Sequence, residues 1–146
     1  MREIVHRVGI KASPAEVYNQ LTTDAGLAKW WTSFTTGAGP VGSVIEFDFR
    51  SVQVPFQVIE LIENELVRWR HVGDSDDVWF NTEVSFTIEP EHAQTFVLFR
   101  HGGWPDKLHF MAHCSTKWGV FMLSLKESLE HGIGRPFPDD LHIDHN

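Results

Sequence analysis

The sequence predicts an α+β domain in which a curved antiparallel sheet of six to seven strands wraps around one long C-terminal α-helix. Between residues 42 and 101, apolar and polar side chains alternate with a period of two, which is typical of half-buried strands. The turns between these segments are short, so the strands they connect are antiparallel neighbours. Between residues 111 and 129, apolar residues recur every three or four positions, which predicts a long amphipathic helix. The apolar face of such a sheet and the apolar stripe of such a helix cover each other.

One strand and two short helices precede the main run of strands. Alternation over residues 4–10 predicts the first strand. Ser13 is the expected N-cap of the first helix, because Glu16 stands three residues later and completes a capping box. The second helix is predicted from about residue 23 to about residue 31. Residues 35–42 contain three Gly and one Pro, so we expect a loop there. The later strands are predicted at about 45–49, 54–62, 66–72, 80–88 and 95–101.

The length of 146 residues is that of one domain with one core. We predict a single domain over residues 1–132 and a C-terminal tail over residues 133–146. Gly132 stands directly after the last helical turn and is expected to end the long helix. The tail contains two Pro residues and several charges, and we expect it to be loosely attached.

Composition and charge exclude several classes of protein. The net charge is −8 and the Lys and Arg residues are scattered singly, so an acidic surface would repel nucleic acid. No segment approaches the ~20 consecutive apolar residues of a membrane-spanning helix, and the N-terminus has no apolar run of signal-peptide length. Cys114 is the only cysteine, which rules out an internal disulfide and suits a reducing compartment. We therefore expect a cytoplasmic protein with no nucleic-acid or membrane partner.

The chain is rich in large aromatic residues, with six Trp and eleven Phe but one Tyr. Many of them fall on the inward side of their predicted elements, where they either pack in the core or line a cavity between the sheet and the long helix. So many large rings on one concave face rarely pack without leaving space, and we interpret the set as candidate ligand-binding residues. The candidates are Trp31, Phe47, Phe49, Phe56, Trp69, Phe86, Phe99, Trp118 and Met122, together with His101.

His101 is the polar residue of greatest interest on this inward face. It ends the strand that carries Val97 and Phe99, near the mouth that the long helix closes. A His in an apolar cavity can hydrogen-bond a ligand or transfer a proton, which makes His101 the one candidate for a catalytic residue. The alternative, which we favour for both His101 and the inward-facing His71, is a structural His with hydrogen bonds inside the protein.

Other groups of reactive residues carry weak signals. His109 and His113 lie four residues apart on one helix face, as two metal ligands would, but Phe110 occupies the position where a zinc protease carries its Glu. A third ligand would have to come from Asp106, Cys114 or His101, and nothing in the spacing demands that any of them takes this role. Cys114 follows His113 in sequence, yet neighbours on a helix point about 100° apart, so adjacency does not make a catalytic dyad. Charged residues of the strands face outward by alternation, which leaves few carboxylates for acid–base catalysis. We therefore predict no metal site and no cofactor.

Several short motifs occur in an order that resembles the START-like, or SRPBCC, superfamily. They are Pro14-Ala15-Glu16-Val17-Tyr18, Trp30-Trp31, Thr82-Glu83-Val84-Ser85-Phe86, the segment Thr95–Gly103 and Trp118. Within this superfamily the chain is most similar to the family related to the heat-shock protein 90 ATPase activator, over roughly residues 4–131. One departure is Lys117, since members of the family commonly have Gly directly before this Trp. A longer side chain at this position changes how closely the helix can approach the sheet.

The resemblance implies the helix-grip fold and, as in many relatives, a cavity that binds small apolar or aromatic molecules. Some relatives are enzymes, such as aromatases and cyclases, so the fold alone does not decide the function. Our first hypothesis is the binding of a small hydrophobic or aromatic molecule, with no catalysis assigned. The alternatives are a cyclase/aromatase- or hydrolase-like enzyme with His101 as proton carrier and, with the least support, a co-chaperone-like interaction module. The sequence also leaves a homodimer open.

Overall fold

The computed structural model describes residues 2–144, and within them the chain forms seven strands and three helices. In chain order these are β1 (Arg2–Ile10), α1 (Pro14–Thr22), α2 (Asp24–Ala28), β2 (Phe34–Thr36), β3 (Val44–Asp48), β4 (Gln53–Ile62), β5 (Leu66–His71), β6 (Glu83–Glu91), β7 (Gln94–Trp104) and α3 (Leu108–His131). The predicted α+β architecture, with two short helices after the first strand and one long C-terminal helix, is confirmed.

The seven strands belong to one curved antiparallel sheet in the order β1-β7-β6-β5-β4-β3-β2. In the centre of the sheet, Phe86 of β6 lies opposite Phe99 of β7 and Val67 of β5. All three side chains are fully buried. Trp118 of α3 packs on Phe99 with a distance of 4.5 Å between ring centres. The sheet and the long helix therefore share one core, as the two apolar patterns predict.

The helices begin and end at the residues that cap them. Ser13 Oγ accepts a hydrogen bond from the Glu16 backbone N–H (3.1 Å), and Glu16 Oε1 accepts one from the Ser13 N–H (3.0 Å), so the predicted capping box is present. The long helix α3 ends at Gly132, whose φ of 83° lies in the left-handed region that Gly adopts without strain. Across residues 2–144, none of the helices combines the length and the apolarity that a bilayer crossing requires.

Three predicted boundaries are wrong. Part of the predicted loop over residues 35–42 belongs to β2, which pairs with β3 and is too short to show alternation. The strand predicted from residue 80 begins only at Glu83, because Asn81 adopts a φ of 64° and breaks the extended conformation. The second helix ends at Ala28 and not near residue 31.

The segment after α3 packs against the domain, so the expectation of a loosely attached tail is wrong for much of it. The Phe137 N–H donates to the Trp31 carbonyl (2.7 Å), and the Phe137 ring lies 5.3 Å from the ring of Phe49. Lys117 of α3 forms an ion pair with Asp140. The domain boundary at residue 132 stays a prediction. Residue 1 and residues 145 and 146, which the predicted domain and tail include, lie outside the described residues.

Candidate functional site

A cavity of about 230 Å³ lies between α3, the β3–β4 hairpin and the connection between β5 and β6. Its wall is largely aromatic. Six rings line it, those of Trp31, Phe49, Trp79, Phe110, Trp118 and Phe121. Val52 and Val54 add further apolar surface. A concave apolar site with a few polar groups is the usual form of a small-molecule site in proteins.

Trp31 belongs both to the core and to the cavity wall. Its ring centre lies 4.8 Å from that of Trp118 and 5.5 Å from that of Phe49, which are both on the wall. It also stacks on the core residue Trp69, with an interplanar angle of 6°. Core rings therefore pack directly against this part of the wall.

Trp79 and Trp118 form a stacked pair on the cavity wall, with ring centres 6.1 Å apart and an interplanar angle of 14°. Trp118 comes from α3, whereas Trp79 comes from the connection between β5 and β6. Asp77 shapes that connection, since its Oδ1 accepts a hydrogen bond from the Trp79 backbone N–H (2.8 Å). The stacked pair therefore joins the helix to the sheet side of the cavity.

His101 connects these two tryptophans through hydrogen bonds. The Trp118 Nε1–H donates to His101 Nδ1 (3.1 Å), and an indole nitrogen can only donate, so Nδ1 carries no proton. The ring proton therefore lies on His101 Nε2, which donates to Thr82 Oγ1 (2.9 Å), and the Thr82 hydroxyl donates to the Trp79 carbonyl (2.5 Å). Burial, together with the nearby His71, lowers the pKa of His101 to about 3. The ring is therefore neutral near pH 7.

This geometry supports the structural interpretation of His101. Both ring nitrogens are engaged inside the protein, and the residue is 0% exposed. It does not line the cavity, so neither nitrogen is available to carry a proton to a molecule bound there. His101 instead holds Trp118 directly and Trp79 through Thr82, which makes it a positioning residue for the cavity wall.

Two further titratable groups on the wall are neutral near pH 7. Burial lowers the pKa of His71, and the smaller effect of the Asp77 charge acts in the opposite direction. His71 Nδ1 accepts a hydrogen bond from the Gly73 N–H (3.4 Å). Burial raises the pKa of the Cys114 thiol to about 12, with Trp79 opposing this shift and Asp77 adding to it. The thiol stays protonated, so Cys114 is not an activated nucleophile.

Two charged residues lie at the cavity, and the protein neutralises only one of them. Lys117 Nζ forms an ion pair with Asp140, donates to the Leu141 carbonyl (2.9 Å) and lies 5.0 Å from the centre of the Phe121 ring. Asp77 is exposed to solvent and forms no ion pair within residues 2–144. Of Lys117 and Asp77, only Asp77 therefore leaves an unbalanced charge at the cavity, and that charge is negative.

Three of the ten sequence candidates, Trp31, Phe49 and Trp118, line the cavity. The interpretation as cavity lining does not fit the other seven, which pack in the core and are each at most 2% exposed. They are Phe47, Phe56, Trp69, Phe86, Phe99, His101 and Met122. Alternation in the strands and the helical period in α3 correctly assigned their inward face, but neither pattern distinguishes a filled core from a cavity wall. Ligand contact by the first three stays a prediction.

Three of the rings on the wall are not among the sequence candidates. Phe110 and Phe121 share a helix face with Trp118, at spacings of eight and three residues, so the helical period could have found them. Trp79 lies in a polar, acidic connection with no periodic pattern. A large aromatic residue in such a segment was its only signal.

The two spaced histidines at the start of α3 are not grouped with a third metal ligand. His109 is exposed, whereas His113 lines the cavity. In the part of the chain that the structure describes, no three His, Cys, Asp or Glu side chains are close enough together to hold a metal ion.

The family model described as "Activator of Hsp90 ATPase homolog 1-like protein" matches residues 11–130. The chain belongs to this family. The resemblance stated from the motifs is thereby confirmed. No curated protein matches the chain significantly.

Solved structures of similar proteins show the same fold. The Aha1 dimer from Colwellia psychrerythraea, solved in solution, is 52% identical, with a TM-score of 0.87 and coverage of 92% of this chain and 100% of that chain. Protein SSP2350 from Staphylococcus saprophyticus is 15% identical, with a TM-score of 0.77 and coverage of 92% and 97%. CalU16 from Micromonospora echinospora is 15% identical, with a TM-score of 0.70 and coverage of 86% and 73%. The last two likenesses concern the fold alone.

Proposed function

We propose that this member of the Aha1-like family binds a small hydrophobic or aromatic molecule in the cavity between the sheet and α3. The observation that carries the proposal is a cavity of about 230 Å³ with six aromatic rings on its wall. An engineered apolar cavity of about 150 Å³ is sufficient to bind benzene. The present cavity therefore suits a molecule of one or two rings.

The state of the polar groups favours binding over catalysis. An active site for acid–base chemistry needs at least two ionisable groups that converge on the substrate with suitable pKa values. Here the His71 ring is neutral near pH 7 and the Cys114 thiol is protonated, while His101 is engaged behind the wall. The cyclase- or hydrolase-like alternative with His101 as proton carrier therefore has less support than simple binding.

Titration with indole, followed by protein NMR and calorimetry, tests the proposal. We expect saturable binding with one site per chain, and shifts of the indole N–H signals of Trp79 and Trp118, which both line the cavity. The variant Cys114→Phe places a ring inside the cavity, because Cys114 is 6% exposed and lies on its wall. This variant should lose indole binding.

The matched control is Leu123→Phe, a change on the same helix at a position that is 56% exposed and does not line the cavity. It should bind indole as the wild type does. Equal binding by both variants would show that indole binds elsewhere. A folded wild-type protein that binds neither indole nor any other one- or two-ring compound would refute the proposed function.

We further propose that the protein acts as a cytoplasmic homodimer. Support comes from the 52% identical Aha1 protein, whose structure in solution is that of a dimer, and from the single cysteine of this chain. Sedimentation velocity between about 5 and 100 µM should give twice the chain mass of 16.7 kDa. A sample that remains at the chain mass over this range would contradict the homodimer.

A further inference from the structure

The cavity combines an aromatic wall with one carboxylate, that of Asp77, which has no ion-pair partner among the described residues. Asp77 lies among the cavity-lining residues, and its Oδ1 is held by the backbone N–H of Trp79, whose ring is part of the wall. The faces of Trp and Phe rings carry negative electrostatic potential and attract cations. A carboxylate beside such rings also attracts cations, so the two effects add.

The one lysine at the cavity does not cancel this preference. Lys117 Nζ forms its ion pair with Asp140 and donates to the Leu141 carbonyl, so its positive charge is balanced inside the protein. The side chains of Lys117 and Asp140 are 20% and 9% exposed, which protects the pair from solvent screening. Lys117 Nζ also lies 5.0 Å from the Phe121 ring centre, so one ring of the wall already contacts a cation.

The charge of Asp77 acts inside the cavity. Burial raises the pKa of the Cys114 thiol and lowers that of His71. The Asp77 charge adds to the first shift and opposes the second, and both residues lie on the cavity wall. The connection that carries Asp77 also contains Asp74 and Asp76, and the whole chain has a net charge of −8. An anionic molecule would therefore be repelled on approach, whereas a cation would be attracted.

We propose that the cavity selects a positively charged amine with an aromatic body, whose ring packs against the aromatic wall and whose ammonium group faces Asp77. This inference rests on the proposed function, since it assigns the chemical class of the molecule bound at the same site. The ring supplies the apolar contact that a cavity of about 230 Å³ can accommodate. The ammonium group gains both the carboxylate and the cation–π attraction.

Three probes of similar size and different charge test the inference. They are benzylamine, which is protonated at pH 7, neutral benzyl alcohol, and benzoate. We expect the Kd of benzylamine to be at least about fivefold lower than that of benzyl alcohol, with benzoate weakest, at low ionic strength and pH 7. Raising the salt concentration to about 0.5 M should reduce the difference between the three, because screening weakens the attraction to an exposed carboxylate.

The variant Asp77→Asn removes the charge and keeps an oxygen that can accept the Trp79 N–H. It should reduce the benzylamine preference to about twofold or less while the Kd of benzyl alcohol stays unchanged. The control Asp76→Asn removes a charge from the same connection at a residue that does not line the cavity, and it should keep the preference. The charge selectivity is refuted if benzyl alcohol binds and benzylamine binds no tighter. It is also refuted if the two variants show the same preference for benzylamine. In both cases the proposed function stands. If no probe binds, both are refuted.

Discussion

Replacing Thr82 with Val tests the hydrogen-bonded chain that positions the cavity wall. Thr82 is fully buried, and its hydroxyl accepts from His101 Nε2 and donates to the Trp79 carbonyl. Val has nearly the same shape but no hydroxyl, so the variant leaves the His101 N–H buried without an acceptor. The Trp79 carbonyl keeps its hydrogen bond from the Thr82 backbone N–H (2.8 Å), so only one buried group loses its partner.

One buried donor without a partner costs about 1–3 kcal/mol of unfolding free energy. For a chain of this length, each kcal/mol shifts the Tm by about 2–4 °C, so we expect Thr82→Val to lower the Tm by about 2–12 °C. Urea unfolding followed by circular dichroism gives the free energy. The near-ultraviolet circular dichroism spectrum reports on the Trp79–Trp118 stack. It should change in the variant, because the hydrogen bonds through His101 and Thr82 position both rings.

The control for this measurement is Thr87→Val, at a partly buried position in β6, the strand that begins directly after Thr82. It should change the unfolding free energy by less than about 0.5 kcal/mol. The same small effect in Thr82→Val, with an unchanged near-ultraviolet spectrum, would refute the role of Thr82 as the link between His101 and Trp79.

The pKa values lead to two further predictions. Protonation of His101 is disfavoured in the folded protein, so the unfolded state binds more protons below about pH 6.5. The free energy of unfolding should therefore fall as the pH drops from about 6.5 towards 3. His101 alone should contribute up to about 1.4 kcal/mol per pH unit to this loss. Urea unfolding at several pH values should show a shallower loss in His101→Gln, which does not titrate, and an unchanged slope would contradict the assignment. The Cys114 thiol, with its pKa raised to about 12, should react with iodoacetamide at pH 8 at least about 100-fold more slowly in the folded protein than in denaturant. Mass spectrometry measures both rates, and comparable rates would show that the thiol is neither buried nor protonated.

Most of the fold followed from local patterns because those patterns reflect which face of each element is buried. Alternation predicted six of the seven strands, and the capping box at Ser13 placed the start of α1. Short-range patterns fail where the backbone leaves the regular period. The left-handed Asn81 delays the start of β6, and the three residues of β2 are too few for a period to be visible.

The candidate site was predicted less well, for a different reason. Phe86 and Phe99 are inward residues that fill the core, whereas Trp118 is an inward residue beside empty space. The three look alike in a sequence pattern, since each lies on the buried side of its element. Whether a ring borders a cavity depends on what the opposing helix, hairpin and connection leave unfilled.

By itself the sequence determined the fold class, the inward face of each main element, the acidic net charge and the family resemblance, because periodicity and composition are properties of neighbouring residues. Only the tertiary structure decided that His101 is a positioning residue, that Trp79 joins Trp118 on the wall, and that Asp77 lies at the cavity with no ion-pair partner within residues 2–144. These residues come from separate elements, and their relations arise only when long-range packing brings those elements together.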